Sequence, residues 1–316
     1  MPRIDEAAGT PSPTQPPLPP ASLIIASRNR PDLLEAAVAS ILAGDDVPAE
    51  LIIVDQSDAP HPRLSCLRTG RPCDIRYFWT RSVGLSRANN RGVAAARHDL
   101  LVFTHDDVLA PPRWFGAIVR ALAAAGSRDV ITGRVLPTEA ETPGGLVPTF
   151  VVDDVAKVYE GRIGNDVLFP LNMAMRRSVI RDVGPFDERL GPGTRFPAGE
   201  DNDFGLRLLE AGYRIAYVPE AALFHRAWRS DHLRLRWLYG RGQGGFFAKH
   251  LGLRDRYMTN RMLRALAHYL RRALSRSRRA PRLAAGDALY AAGIAFGALE
   301  WLLTHRMLRL RSADRF

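Results

Sequence analysis

From Ser22 onward, short apolar runs alternate with stretches whose apolar residues recur at helical spacing. Ser22–Ala26 reads as a buried strand. After Asn29-Arg30-Pro31, the segment Asp32–Leu42 sets Leu33, Leu34, Ala37, Val38, Ile41 and Leu42 on one helical stripe, with Asp32 where an acid favours a helix start. Leu51–Val54, Ile75–Phe78 and Leu100–Thr104 read as three more strands, with helices over Arg87–Ala96 and from Pro111-Pro112 to Ala125. Such repetition predicts an α/β domain whose mostly parallel central sheet is covered by helices. Ligands bind such sheets beyond the carboxyl ends of the strands. Asp55 and the pair Asp106-Asp107 end two of these runs, so both are expected at one crevice.

The pattern loosens after Gly133, and Pro137–Thr149, rich in Pro, Gly and Thr, reads as a loop. Structure is expected again over Asn172–Arg176 and Arg177–Val183, followed by a Gly/Pro-rich loop at Gly191–Gly199. Glu200-Asp201, with Asp203 beyond, opens a helix that ends near Ala211-Gly212; Ile215–Val218 is a strand and His225 follows it. Residues 1–20 hold six prolines between Pro11 and Pro20 and read as a disordered lead-in without the apolar run of a secretory leader. The expected division is then residues 21–230 for the α/β domain, in halves of 21–130 and 131–230, and 231–316 for a basic helical extension.

Composition narrows the function. With 46% hydrophobic and 24% charged residues the chain is no disordered polymer, and Cys66 and Cys73 form neither a disulfide framework nor a CxxC pair. Residues 231–316 carry 18 Lys+Arg against 5 Asp+Glu, while 1–230 carry 26 against 28. A basic tail alone would suit nucleic acid, but an acidic crevice repels phosphate unless a cation intervenes, so nucleic acid is not an expected partner. Ala288–Leu299 is an uncharged run of 12 residues, short of the roughly 20 a bilayer crossing needs, beside the basic cluster Arg271, Arg272, Arg276, Arg278, Arg279 and Arg282. That pairing suits a helix lying on an anionic membrane surface, or else a solvated basic face over a helical core. The expected location is the cytoplasm, with the inner face of the membrane as the place of any lipid contact.

The chemistry is carried by acids. Adjacent carboxylates such as Asp106 and Asp107 repel, and a divalent cation bound to phosphates relieves that repulsion. Glu200-Asp201 beside a glycine-rich loop suits either a solvated helix start or a catalytic acid–base group. The Gly191–Pro197 stretch (GPGTRFP) looks like the signature of sugar nucleotidyltransferases, but lies far from the first strand, where that class has it.

Taken in order, SLIIASRNRP (22–31), ELIIVDQSD (50–58), RSVGLSRANNRGVAAAR (81–97), LVFTHDDVLAPP (101–112), NMAMRRSVIRDVGPFDERLG and GEDNDFGLRLLEAGYRIAYVPEAALFH (ending at His225) resemble family 2 glycosyltransferases of the GT-A fold over residues 22–230. The resemblance implies an inverting enzyme that moves a sugar from a nucleotide-sugar donor to a glycan or lipid-linked acceptor with Mn2+ or Mg2+. It implies Asp55 on the nucleotide base, Ala26, Arg28 and Arg30 in the first nucleotide-binding loop, and Arg81 and Arg87 near the nucleotide or diphosphate. Asp106 is then nearer the ribose or sugar, Asp107 binds the metal with His225 as a further ligand, and Asp201 is the general base with Glu200 beside it. His105 stands where many relatives have a third acid, which leaves the metal preference open. The glycine-rich stretch from Trp237 to Phe247 is expected either near the acceptor or as a simple loop. The competing readings are a catalytically inactive sugar-nucleotide-binding module and a sugar nucleotidyltransferase.

Overall fold

Alternation within the first strand decides the layering. In β1 (Ala21–Ser27) Leu23 and Ile25 face one core and Ile24 and Ala26 the other, all buried. The computed structural model describes residues 17–66, 72–139, 150–226, 229–252 and 256–313, with side chains as far as residue 304. Residues 1–16 of the proline-rich lead-in and 140–149 of the Pro/Gly/Thr loop lie outside the described residues.

Helix α1 (Pro31–Leu42) leads to β2 (Glu50–Asp55), β3 (Asp74–Trp79), α2 (Leu85–Ala95), β4 (Leu100–His105), the two-residue β5 (Val108–Leu109) and α3 (Trp114–Ala124). β6 (Asp129–Pro137), β7 (Lys157–Tyr159), β8 (Met173–Arg176), α4 (Arg177–Val183), α5 (Glu200–Glu210) and β9 (Arg214–His225) follow. The chain then turns helical as α6 (His232–Lys249), α7 (Tyr257–Arg276) and α8 (Pro281–Ala313). The sheet runs β3-β2-β1-β4-β8-β6-β9-β5, with β7 on β9. β1 is parallel to β2 and β4, β2 to β3, and β6 to β9, while β8 and β5 are antiparallel to their neighbours. The expected mixed, mostly parallel sheet flanked by helices is therefore present. α1 and α3 cover one face through Leu34, Val38, Ile41, Trp114 and Ile118, and α2, α4 and α5 cover the other through Ala88, Val179, Phe204 and Leu208.

Three features go beyond the sequence reading. β6 continues to Pro137, past Gly133 where the sequence pattern loosens; a Cβ at Gly133 would meet Ala221 O at 2.2 Å, so the glycine marks a tight crossing of β6 with β9. The stretch from Trp237 to Phe247 is not a loop; it lies within α6. Its glycines leave room for α8: a Cβ at Gly240 would stand 2.3 Å from Tyr290 O, and one at Gly297 2.0 Å from Arg241 O. Finally, the uncharged run of 12 residues lies inside the longer helix α8, whose segment Pro281–Thr304 (24 residues, mean hydropathy 1.2) is long and apolar enough to cross a membrane by length and composition, although 44% of that window is buried in the protein. Asp287 and Glu300, which bounded the run in the sequence, are turned inward onto arginines and do not interrupt the outer face.

Candidate active site

The site starts where β1, β2 and β4 end. Asn29 has φ 54°, a left-handed conformation asparagine tolerates, and it is pinned by its own N–H donating to Ser57 Oγ at 2.7 Å and by Asp58 N–H donating to its Oδ1 at 3.0 Å. This turn brings Arg30 back over the end of β4. There its Nη2 is 2.9 Å from Asp106 Oδ1 and its Nη1 2.6 Å from Asp107 Oδ2. Ser27 Oγ donates to Asp106 Oδ2 at 2.7 Å. The pairing of Val108 with His225, reinforced by Arg226 N–H donating to Asp107 O at 2.8 Å, sets His225 Nε2 3.5 Å from Asp107 Oδ1. Arg229 Nη2 stands 3.4 Å from Asp107 Oδ2.

These neighbours split the two carboxylates. Burial pushes Asp106 up to about 6 despite Arg30. The same burial would raise Asp107, but His225 and Arg30 more than offset it and hold Asp107 well below the usual carboxylate range. Burial also takes the His105 imidazole down to about 4, leaving it neutral.

A second acidic group stands at the start of α5, after Gly199 takes the left-handed φ of 89°. Asn202 N–H donates to Asp201 Oδ1 at 2.9 Å, and Asn202 Nδ2 donates to Gln243 Oε1 of α6 at 2.6 Å. Burial raises Asp201 to about 7, helped by the charge of Asp166; burial raises Glu200 to about 8, helped by Asp201. Both groups are thereby poised near neutrality, the range suited to a general base.

One cleft of about 620 Å3 is lined by both groups: Ala26, Arg28, Arg30, His105, Asp107 and His225 from the strand ends, and Glu200 and Asp201 from α5. Other expected residues lie elsewhere. Asp106 is wholly buried and does not line the cleft. Asp55 accepts from Ser57 N–H at 2.9 Å and from the Tyr77 hydroxyl, so both of its oxygens are already engaged, and it too is off the cleft. Arg81 lies over the Trp79 ring at 5.6 Å, and Arg87 pairs with Glu188 at 3.3 Å. Asp203 is a structural anchor, bound by Arg207 at 3.0 Å, Lys249 at 2.5 Å and His250 at 2.7 Å.

The sequence reading missed Gln56 and Arg229, which also line the cleft, as do Tyr239 and Gln243 from the stretch expected near the acceptor or as a loop. Gln56 directly follows Asp55, and Gln243 follows Tyr239 by four residues, a helical spacing hidden by the intervening glycines. The GPGTRFP loop contributes Pro192, Gly193 and Pro197 to the rim, as a wall of this cleft rather than a loop after the first strand.

For a divalent cation the donors are of the right kind. Asp107 Oδ1 is sealed from solvent and has no hydrogen-bond partner among the described residues, with an imidazole beside it. Among the described residues no group of three His, Cys, Asp or Glu could hold a metal ion, so two protein ligands fit a metal completed by phosphate oxygens and water, as Mg2+-type sites are.

A mostly parallel central sheet flanked by helices, with a cleft lined by acids at its strand ends, matches the GT-A fold. Two solved structures share the fold: a mannosyltransferase, PcManGT from Pyrobaculum calidifontis, in complex with GDP-Man and Mn2+ (TM-score 0.59, 15% identity, 92% of this chain and 89% of that one), and S. aureus TarS (0.51, 13%, 87% and 90%). Residues 22–184 match Glycosyl transferase family 2, and the chain belongs to that family. It is 27% identical over 246 residues to a pre-mycofactocin glycosyltransferase of Mycobacterium tuberculosis, covering 72% of this chain and 48% of that protein. It is 28% identical to the succinoglycan biosynthesis protein ExoO of Rhizobium meliloti, covering 68% and 65%. The chain thus spans about half the length of the first of these relatives.

Proposed function

We propose that this chain transfers a sugar from a nucleotide-sugar donor to a hydroxyl of a glycan or lipid-linked acceptor, with inversion at the anomeric carbon. The observation that carries the reading is that Asp107 with His225 and Asp201 with Glu200 line one cleft. Asp107 and His225 would hold a divalent cation, Mn2+ or Mg2+. Bound there, it supplies positive charge to the diphosphate leaving group. Arg28, Arg30 and Arg229 add fixed positive charge around the diphosphate. Asp201 accepts the proton of the acceptor hydroxyl as that oxygen attacks, its proton affinity held high by burial and by the charge of Asp166. One base and no covalent step give inversion. Ala26 and Gln56 line the cleft at the strand ends and suit the nucleoside, while Asp55, Arg81 and Arg87 do not line it. Peripheral contact with the cytoplasmic membrane face, through the C-terminal helices, belongs to the same reading.

The test is a thermal-shift series with nucleotide diphosphates and nucleotide sugars, with and without Mn2+, since a ligand of the native state alone raises the melting temperature. The expected result is a shift that needs both nucleotide and metal, lost in Asp107→Ala. A shift of equal size in Asp107→Ala sinks the metal assignment.

A further inference from the structure

The two C-terminal helices leave an outer surface that a water-exposed protein does not ordinarily present. On α7, Leu263, Leu270 and Leu274 are 54%, 50% and 76% exposed and recur at one helical face. Arg264 and Arg271 flank that face, Arg278 follows in the turn just beyond it, all three are exposed, and α7 contains no acid between Tyr257 and Arg276. On α8, Phe296, Leu299 and Leu303 are 47%, 57% and 55% exposed. The charged residues between Leu283 and Thr304 are Asp287 and Glu300, and both turn inward: Asp287 to Arg236, Arg272 and Arg276, and Glu300 to Arg195 and Arg241. The outer side of α8 is therefore apolar from Leu283 to Leu303, and exposed apolar surface of that extent marks a contact site.

We propose that the outer faces of α7 and α8 seat the protein on the anionic headgroup surface of a lipid bilayer, leucines entering the headgroup boundary and arginines on phosphates. Charge complementarity picks this occupant. A second copy would set the same arginine-rich face against itself, because a two-fold contact pairs identical patches. Crossing the bilayer is not open to α8, whose inner face meets α6 so closely that a Cβ at Gly244 would lie 2.2 Å from Ile294 O. Insertion would also strip Asp287 and Glu300 of their arginines. The helix lies on the membrane rather than through it.

This deepens the membrane contact named above without depending on sugar transfer, because vesicle binding is read with no donor, acceptor or metal present. The test sediments the full chain with phosphatidylcholine vesicles, with and without phosphatidylglycerol. Expected is binding to the anionic vesicles alone, weakening with salt, and falling about fivefold for each arginine reversed in Arg271→Glu and Arg278→Glu. Leu270→Ser/Leu274→Ser, at exposed positions, should weaken binding with an unchanged circular-dichroism melt. The proposal is overturned if the wild type stays in the supernatant with anionic vesicles, or if the variants bind as it does. It is overturned too if sedimentation equilibrium shows a dimer that the leucine variant dissolves.

Discussion

At the scale of single residues, the cleft is governed by how each charge is neutralised. Arg30 spans Asp106 and Asp107 at 2.9 and 2.6 Å and thereby occupies carboxylate oxygens that a cation would also seek. Arg30→Met should lower the stability of the metal-free protein by about 1–2 kcal/mol, less than a fully buried pair because the arginine side chain is 35% exposed. It should also raise Mn2+ affinity measured without nucleotide, by titration calorimetry; unchanged affinity would show that the guanidinium does not compete. Asp201 obeys the opposite logic, with burial raising it to about 7. Acting as a base it must shed its proton, so kcat/KM should climb with pH through about 7, and Asp201→Asn should lose about 10²–10⁴-fold in kcat while still binding donor. The stability sign is the reverse. Between the ordinary carboxyl range and about 7 the folded state holds protons that the unfolded chain releases, so the ligand-free protein loses stability as pH rises across that window. A melting temperature that instead rises there would contradict a raised Asp201.

At the scale of elements, α6 falls in the expected basic helical extension, but its glycine-rich half could equally be read from sequence as a loop. A Cβ at Gly242 would stand 2.4 Å from Ala198 N, so α6 packs backbone to backbone on the loop that ends in Gly199 and launches Glu200-Asp201. Gly242→Val should displace that loop, cost about 1–3 kcal/mol by overpacking, and reduce kcat more than donor affinity. Rates unchanged at the lowered melting temperature would uncouple α6 from the base. Four glycines within six residues argue locally for a loop, since glycine costs roughly 1 kcal/mol in a helix interior; contact with α8 and Ala198 overrides that cost, and no local signal reports it. By contrast β1, β2 and β4 were legible to within a residue or so, because a run buried on both sheet faces is uninterrupted in sequence. The acids at 107, 200 and 201 were legible because strand ends and a helix start place them. Asp55 and Asp203 look the same in sequence, and what separates them, Tyr77 on one and Lys249 with His250 on the other, arrives only with tertiary contact.

At the scale of the whole molecule, the cleft gathers residues from Ala26 to Gln243 and is closed by Tyr290 of α8, so the C-terminal helices contribute to its wall. Their inner side also completes the core: Phe246 and Phe247 are buried, with Leu206 of α5 and Ile294 of α8 in one cluster. Lys249 and His250 neutralise Asp203, a buried charge at the heart of α5. A chain cut after Ser230 would therefore expose this apolar cluster and leave Asp203 with Arg207 alone, losses of the kind that cost several kcal/mol each. Such a fragment is expected to aggregate or melt well below the full chain, and to lose the thermal shift with nucleotide diphosphate and Mn2+. Changes confined to the outer faces, such as Leu274→Ser, should leave that shift intact. The inner and outer sides of the same helices would then prove separable, one holding the catalytic loop and the other facing the lipid. A fragment ending at Ser230 that melts as the full chain does and still binds nucleotide would instead make α6, α7 and α8 an appendage, and the support of Asp201 would have to be sought within the sheet domain.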